Sequence, residues 1–178
     1  MIPGTALGMD AFSDAVRVIA SLKTDRGLSM RRPLIYAIFL LAVLGIGLLI
    51  GTVTRPDGWY AALAKPPFNP PNWVFAPVWT LLYVMIAVAG ARTFEGVPRR
   101  GFGLWLGQMA LNFAWTPVFF GLHRAGLALA IILGLLITIL TYIVRRWRED
   151  RTAALLFVPY AAWVAFASVL NAAIVALN

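Results

Sequence analysis

The chain has 178 residues, of which 61% are apolar and 12% charged, with a mean hydropathy of +0.83. Soluble domains carry about a quarter charged residues, so the composition excludes an ordinary water-soluble domain and points to a membrane. The formal net charge of +8 is not matched by any groove-reading or single-strand-binding motif, which argues against nucleic acid, and the lack of cysteine removes disulfides, thiolate catalysis and cysteine metal sites.

Residues 1–32 read as an N-terminal extension, amphipathic or disordered. Phe12, Val16, Ile19 and Leu22 share a face if 10–22 is helical, and Met30 is a candidate start. The apolar run after Arg31 and Arg32 has spanning length and no small-residue cleavage site, unlike a signal peptide.

Charges then leave five clear windows, at 33–54, 66–91, 101–122, 125–144 and 152–178. Each reaches about 20 residues, enough to cross roughly 30 Å of hydrocarbon. The expected fold is an all-α membrane protein: a five-transmembrane-helix bundle over 33–178, with helices at about 33–54, 74–94, 101–122, 125–145 and 152–177. When the loops are assigned alternately to the two sides, twelve of the fifteen Lys and Arg fall on one side (Arg17, Lys23, Arg26, Arg31, Arg32, Arg92, Arg99, Arg100, Arg145, Arg146, Arg148, Arg151). Arg55, Lys65 and Arg124 fall on the other. The positive-inside rule then predicts a cytoplasmic N-terminus, with the first loop and the C-terminus outside. Long apolar helices favour an inner membrane over an outer membrane populated by barrels.

Between the first two spans, the stretch from Trp59 to Trp79 reads WYAALAKPPFNPPNWVFAPVW. Pro66, Pro67, Pro70 and Pro71 each remove a backbone donor and restrict φ, which predicts a stiff, extended connection suited to a preset lid. In the second span Phe75, Trp79 and Tyr83 recur every four residues.

The third span carries two stripes. Gln108, Asn112, Trp115 and Phe119 form one, and Gly103, Gly107, Ala110 and Ala114 form the other, roughly 140° away. The small-residue stripe suits close helix contact, either in a dimer or inside the monomer. Amides in hydrocarbon need partners, so the polar-aromatic stripe points inward, toward a cavity or an internal hydrogen bond. The fifth span repeats this pattern with Tyr160, Trp163, Ala167 and Asn171, and Pro159 predicts a bend in it. Three aromatic-bearing helices can wall a cavity in which a flat, apolar ligand stacks on Trp79, Trp115 and Trp163, with Asn112 and Tyr160 orienting its polar edge. A ligand-free aromatic core, with interfacial belts for Trp59, Trp73 and Trp105, is the alternative.

The motif WYxxLxKPxxxPPxWxFxxxW (Trp59, Tyr60, Leu63, Lys65, Pro66, Pro70, Pro71, Trp73, Phe75, Trp79) resembles the tryptophan-rich sensory protein/translocator protein family, TspO/MBR, also called peripheral-type benzodiazepine receptors. QxxLNxxWxPxFFG from Gln108 to Gly121 is similar to the family's third helix, and PYxxWxxFAxxLN from Pro159 to Asn171 is similar to its fifth. The resemblance covers about residues 33–178 and is that of a bacterial member. It implies a five-helix homodimer with a pocket beneath the first loop that binds porphyrins such as protoporphyrin IX, with no obligatory cofactor and no metal. The implied pocket residues are Tyr60, Trp79, Asn112, Trp115, Phe119, Trp163 and Ala167, under a lid from Pro66 to Trp73 that includes Pro70 and Pro71. Cholesterol-recognising members continue after the LN of the fifth helix with an aromatic and then a basic residue. Here Ala172, Ala173, Ile174, Val175 and Ala176 follow, so no sterol site is expected at that end.

Light- and oxygen-dependent porphyrin degradation has been proposed for similar proteins, which would make Trp79 and Trp163 the candidate participants. No carboxylate lies within a span, and His123, the only histidine, is in a short loop, where it is either solvated or a haem ligand. A membrane receptor that senses, buffers or moves porphyrins is therefore the leading expectation. A porphyrin-degrading enzyme and a carrier of small apolar solutes are the alternatives.

Overall fold

The structure, a computed structural model, describes residues 31–96 and 101–178. Most of the expected extension, together with Arg17, Lys23, Arg26, Arg99 and Arg100, lies outside the described residues. The chain divides into a unit ending at Ile38, whose described part opens the first helix, and a second unit, Phe39–Asn178.

The described residues form six α-helices and one π-helical turn. They are α1 (Arg31–Val53), α2 (Gly58–Ala62), α3 (Asn72–Glu95), α4 (Phe102–Thr116) with the π turn Pro117–Gly121, α5 (Ala125–Arg146) and α6 (Arg151–Leu177). Among them α1, α3, α5 and α6 are long and apolar enough to cross a membrane. In α4 the α-helical ladder gives way at Pro117, which supplies no N–H, and the backbone continues through the wider π turn to Gly121. The helix α6 runs unbroken through Pro159.

Within the second unit α6 packs against both α3 and α5, and α4 lies on α5. Leu82, Ile86, Trp105, Ile132, Ile139, Phe157 and Val164 are among the buried core residues. Leu41, Leu48 and Val53 on α1, Leu81 on α3, Ile137 and Val144 on α5 and Val169 on α6 are all more than half exposed. Such a surface is unstable in water and natural in lipid, where apolar side chains face the hydrocarbon.

The end of the bundle formed by Arg92, Arg146 and Asp150 is tied by charge. Asp150 caps α6 by accepting from Ala153 N and takes three bonds from Arg92 Nε and Nη2 on α3 at 2.9–3.3 Å. Partial burial pushes its carboxyl up, but the Arg92 bonds, the Ala153 amide and Arg146 outweigh that and hold it below the ordinary carboxylate range. Gly101 opens α4 with φ +85°, a conformation that L side chains rarely adopt. Trp105, weighed above as a belt residue, is instead 6% exposed in the core, and its Nε1 donates to Ile86 O at 2.9 Å. Gly90 makes room for its indole, since a β-carbon there would overlap the ring.

Candidate functional site

A cavity of about 470 Å³ opens inside the second unit. Its wall takes Trp79 and Tyr83 from α3, Asn112 and Trp115 from α4, Phe119 from the π turn, Trp163 and Ala167 from α6, and Tyr60 from α2. Ile132 and Leu135 of α5 and Asn171 of α6 also line it. No charged side chain lines it among the described residues, so the wall offers stacking surfaces, amides and hydroxyls.

The wall aromatics meet in local groups. Trp115 stacks on Phe119 at 5.2 Å with 21° between planes, Trp79 lies 5.3 Å from Tyr83, and Phe75 meets Trp163 edge-on at 5.8 Å. Trp115 is oriented by its Nε1, which donates to Asn171 Oδ1 at 3.2 Å, while Asn171 Nδ2 donates to the carbonyl of Ala125 at 3.0 Å. One asparagine thus joins α4, α6 and the start of α5. The π turn brings the consecutive residues Phe119 and Phe120 to the same wall, because successive side chains are separated by less than the roughly 100° of an α-helix.

Tyr160 is not on the wall. It is fully buried behind Asn112, whose Nδ2 donates to its hydroxyl at 2.8 Å. The same hydroxyl donates to Gln108 Oε1 at 3.0 Å, and Tyr83 donates to Asn112 Oδ1 at 3.2 Å. The polar stripe of the third span is therefore both things at once, a cavity wall at Asn112 and an internal network at Gln108.

The segment between α1 and α3 differs in part from the stiff extended connection that its prolines predict, because it begins with a helix. Asp57 caps α2 by accepting from Trp59 N at 3.1 Å and Tyr60 N at 3.3 Å. The Tyr60 amide, above all, holds the Asp57 carboxyl below its usual range, with His123 Nε2 helping from 3.0 Å. Trp59 stacks on His123 at 4.5 Å, so α2 is joined to the turn before α5. Lys65 sits 4.6 Å from the centre of the Tyr60 ring and donates to Ala61 O and Leu63 O, closing the C-terminal end of α2. Burial raises the Tyr60 phenol, which stays a neutral group. Pro66 is buried, Pro70 half-buried, and Pro71 and Trp73 exposed; Pro56 and Asn72 from this region reach the wall. Ala64 is tied to Asn178 by two bonds, N–H to Oδ1 at 3.0 Å and Nδ2–H to O at 3.1 Å.

The stripe of Gly103, Gly107, Ala110 and Ala114 faces away from the chain's own packing at three of its positions. Among the described residues, nothing beyond the helix's own adjacent backbone would lie within 4 Å of a β-carbon at Gly103 or Gly107, and Ala110 is exposed.

The first helix, α1, also contributes to the wall, which its apolar sequence did not make evident. Gly47, Ile50, Gly51 and Thr54 line the cavity, and the Tyr83 ring occupies the space a Gly47 side chain would take. The signal was present as two glycines four residues apart, the spacing of a close helix approach.

A profile of the TspO/MBR family matches residues 37–177. The chain belongs to that family. Among the curated relatives of this TspO/MBR protein, "Protein CrtK" of Rhodobacter capsulatus is 34% identical over 81% of the chain and 92% of its own length. The "Tryptophan-rich sensory protein" of Cereibacter sphaeroides is 37% identical over 80% and 92%. The "Translocator protein" of Bos taurus is 40% identical over 70% and 79%. With its apolar helices, membership places the TspO/MBR chain among integral membrane proteins of the sensor and translocator type.

Proposed function

We propose that this protein is a membrane receptor for porphyrins and similar flat apolar ligands, and that it regulates or moves them. The observation that carries this reading is an uncharged, tryptophan-walled cavity of about 470 Å³ inside the bundle. Indole faces suit an extended π-system, and the amide and hydroxyl groups near Asn112 suit its few polar atoms. Because no charged side chain lines the wall among the described residues, the carboxylates of a ligand such as protoporphyrin IX would lie outside it, and Lys65, whose Nζ lies over the ring of the wall residue Tyr60, would meet them. The α2 helix and residues 63–71 would act as the lid.

In this reading α4 and its π turn cross as a fifth span, Gly103, Gly107, Ala110 and Ala114 form a homodimer seam, and no cofactor is obligatory. The bacterial inner membrane houses the protein, with the N-terminus cytoplasmic and the C-terminus outside. The C-terminal end holds no sterol site. A second reading, light-dependent porphyrin degradation, draws support from Trp79 and Trp163 sharing one wall.

The test is tryptophan-fluorescence quenching of the purified protein by protoporphyrin IX in the dark and then in light, with a Trp79/Trp163 double substitution beside it. Saturable dark quenching that the double variant loses supports the receptor. Light-dependent loss of the porphyrin spectrum favours the enzyme, and no saturable quenching removes the porphyrin from this protein.

A further inference from the structure

The polar groups on and behind the cavity wall form a chain whose direction its geometry leaves open. Tyr83 donates to Asn112 Oδ1, Asn112 Nδ2 donates to Tyr160, and Tyr160 donates to Gln108 Oε1. The far end is poorly satisfied in this direction, because Gln108 is fully buried and its Nε2 has no hydrogen-bond partner among the described residues. Orphaned buried N–H groups are rarer than under-used carbonyls. A half-turn of both amides exchanges nitrogen and oxygen at nearly the same positions. The chain then runs backward, from Gln108 Nε2 to Tyr160, from Tyr160 to Asn112 Oδ1, and from Asn112 Nδ2 to the Tyr83 oxygen. Three bonds are kept, the orphan becomes a carbonyl oxygen, and the Tyr83 hydrogen is released. Tyr83 stands on the cavity wall, so that hydrogen needs an acceptor within the cavity.

We propose that Gln108 is a positioning residue that lets Tyr83 reverse its hydrogen-bonding role, so that the cavity accepts flat apolar ligands bearing either one N–H donor or one carbonyl acceptor. In the first direction Tyr83 has spent its hydrogen and offers a lone pair to a ligand N–H. In the second it donates to a ligand carbonyl. Either ligand adds a fourth bond and thereby selects the direction. The inference rests on the cavity being a binding site.

Fluorene, carbazole and 9-fluorenone are flat tricycles of nearly one shape that differ at one position, a methylene, an N–H and a carbonyl. Their affinities for the purified full-length protein are to be compared by calorimetry. Carbazole and fluorenone should each bind about fivefold more tightly than fluorene, the value of one net hydrogen bond. In Gln108→Met the Tyr160 hydroxyl can donate only to Asn112 Oδ1, which holds the chain in its second direction. The fluorenone preference should then survive and the carbazole preference disappear. A packing defect would weaken all three ligands alike; that result, or survival of both preferences, overturns the inference. If Gln108→Met does not fold, Tyr83→Phe carries the test. It should bring carbazole and fluorenone to the affinity that fluorene has for the same variant, and a preference that persists overturns the proposal. Failure of all three compounds to bind the unsubstituted protein removes the cavity as a binding site and the inference with it, whereas the porphyrin itself is decided by the quenching titration.

Discussion

Replacing Gly47 by Ala should separate ligand affinity from stability. A β-carbon at this position stands 2.9 Å from Cδ2 and 3.0 Å from Cζ of Tyr83, so the ring must move. It has somewhere to go, because both residues border the 470 Å³ cavity. Moving the ring gives up its 3.2 Å bond to Asn112, a loss of about 1 kcal/mol. Alanine in place of glycine in a helix returns about 1 kcal/mol. The thermal midpoint should therefore change by no more than about 2 °C. The displaced ring takes space from the cavity, and the affinity for protoporphyrin IX, read by dark quenching, should fall about tenfold. Gly90→Ala is the contrast. Its β-carbon would lie 2.6 Å from both Cζ2 and Nε1 of Trp105, which is held between Phe39 at 5.1 Å and Phe102 at 5.7 Å. With the indole 6% exposed between those rings, overpacking costs about 1–3 kcal/mol, at mid-range more than the helix gain, so the midpoint should drop by several degrees. If Gly47→Ala loses as much stability as Gly90→Ala while its affinity is unchanged, the Tyr83 ring is not free to yield and the reasoning fails.

Trp163→Phe should keep the edge contact with Phe75 and reduce dark porphyrin affinity only a few-fold, while any light-driven porphyrin loss that passes through the indole should stop; a degradation assay beside the titration separates the two. Asp150→Asn retains an α6 cap but loses the charged pair with Arg92, and chemical denaturation should show a loss of about 1–2 kcal/mol. Asp57 and Asp150 both have lowered pKa values, so their stabilisation is intact above the ordinary carboxylate value of 3.8 and is lost as pH falls through the lowered ones. The midpoint followed from neutral to acid pH should stay level and then drop below that value, with a smaller drop in Asp150→Asn. Asn171→Leu should release Trp115 from its 3.2 Å bond and blunt quenching more than it lowers the midpoint.

The helical class was legible because charge is excluded from long windows, and lipid imposes that exclusion on the sequence directly. Asn112 and Trp115 were legible as inward-facing because a helix repeats its faces at fixed spacing. Tyr160 was placed on the cavity by the same periodicity, yet it lies behind the wall, since spacing gives a direction around the helix and not a depth. Trp105 falls near a helix end and so read as a possible interfacial residue, but its environment is set by Gly90 on another helix, which local sequence does not reveal. The α2 helix was hidden by the prolines that follow it, although Asp57 is a strong capping residue. The contribution of α1 was missed because glycines line a cavity by leaving space.

A cavity wall without charge also has an electrical consequence. A fixed or moving charge within the membrane feels about 2.3 kcal/mol per 100 mV of transmembrane potential. The wall described above contributes none among the described residues, so filling it with an uncharged molecule displaces no charge through the field. Occupancy by such a molecule would then be the same in an energised and a de-energised cell, and would follow the molecule's concentration in the bilayer alone.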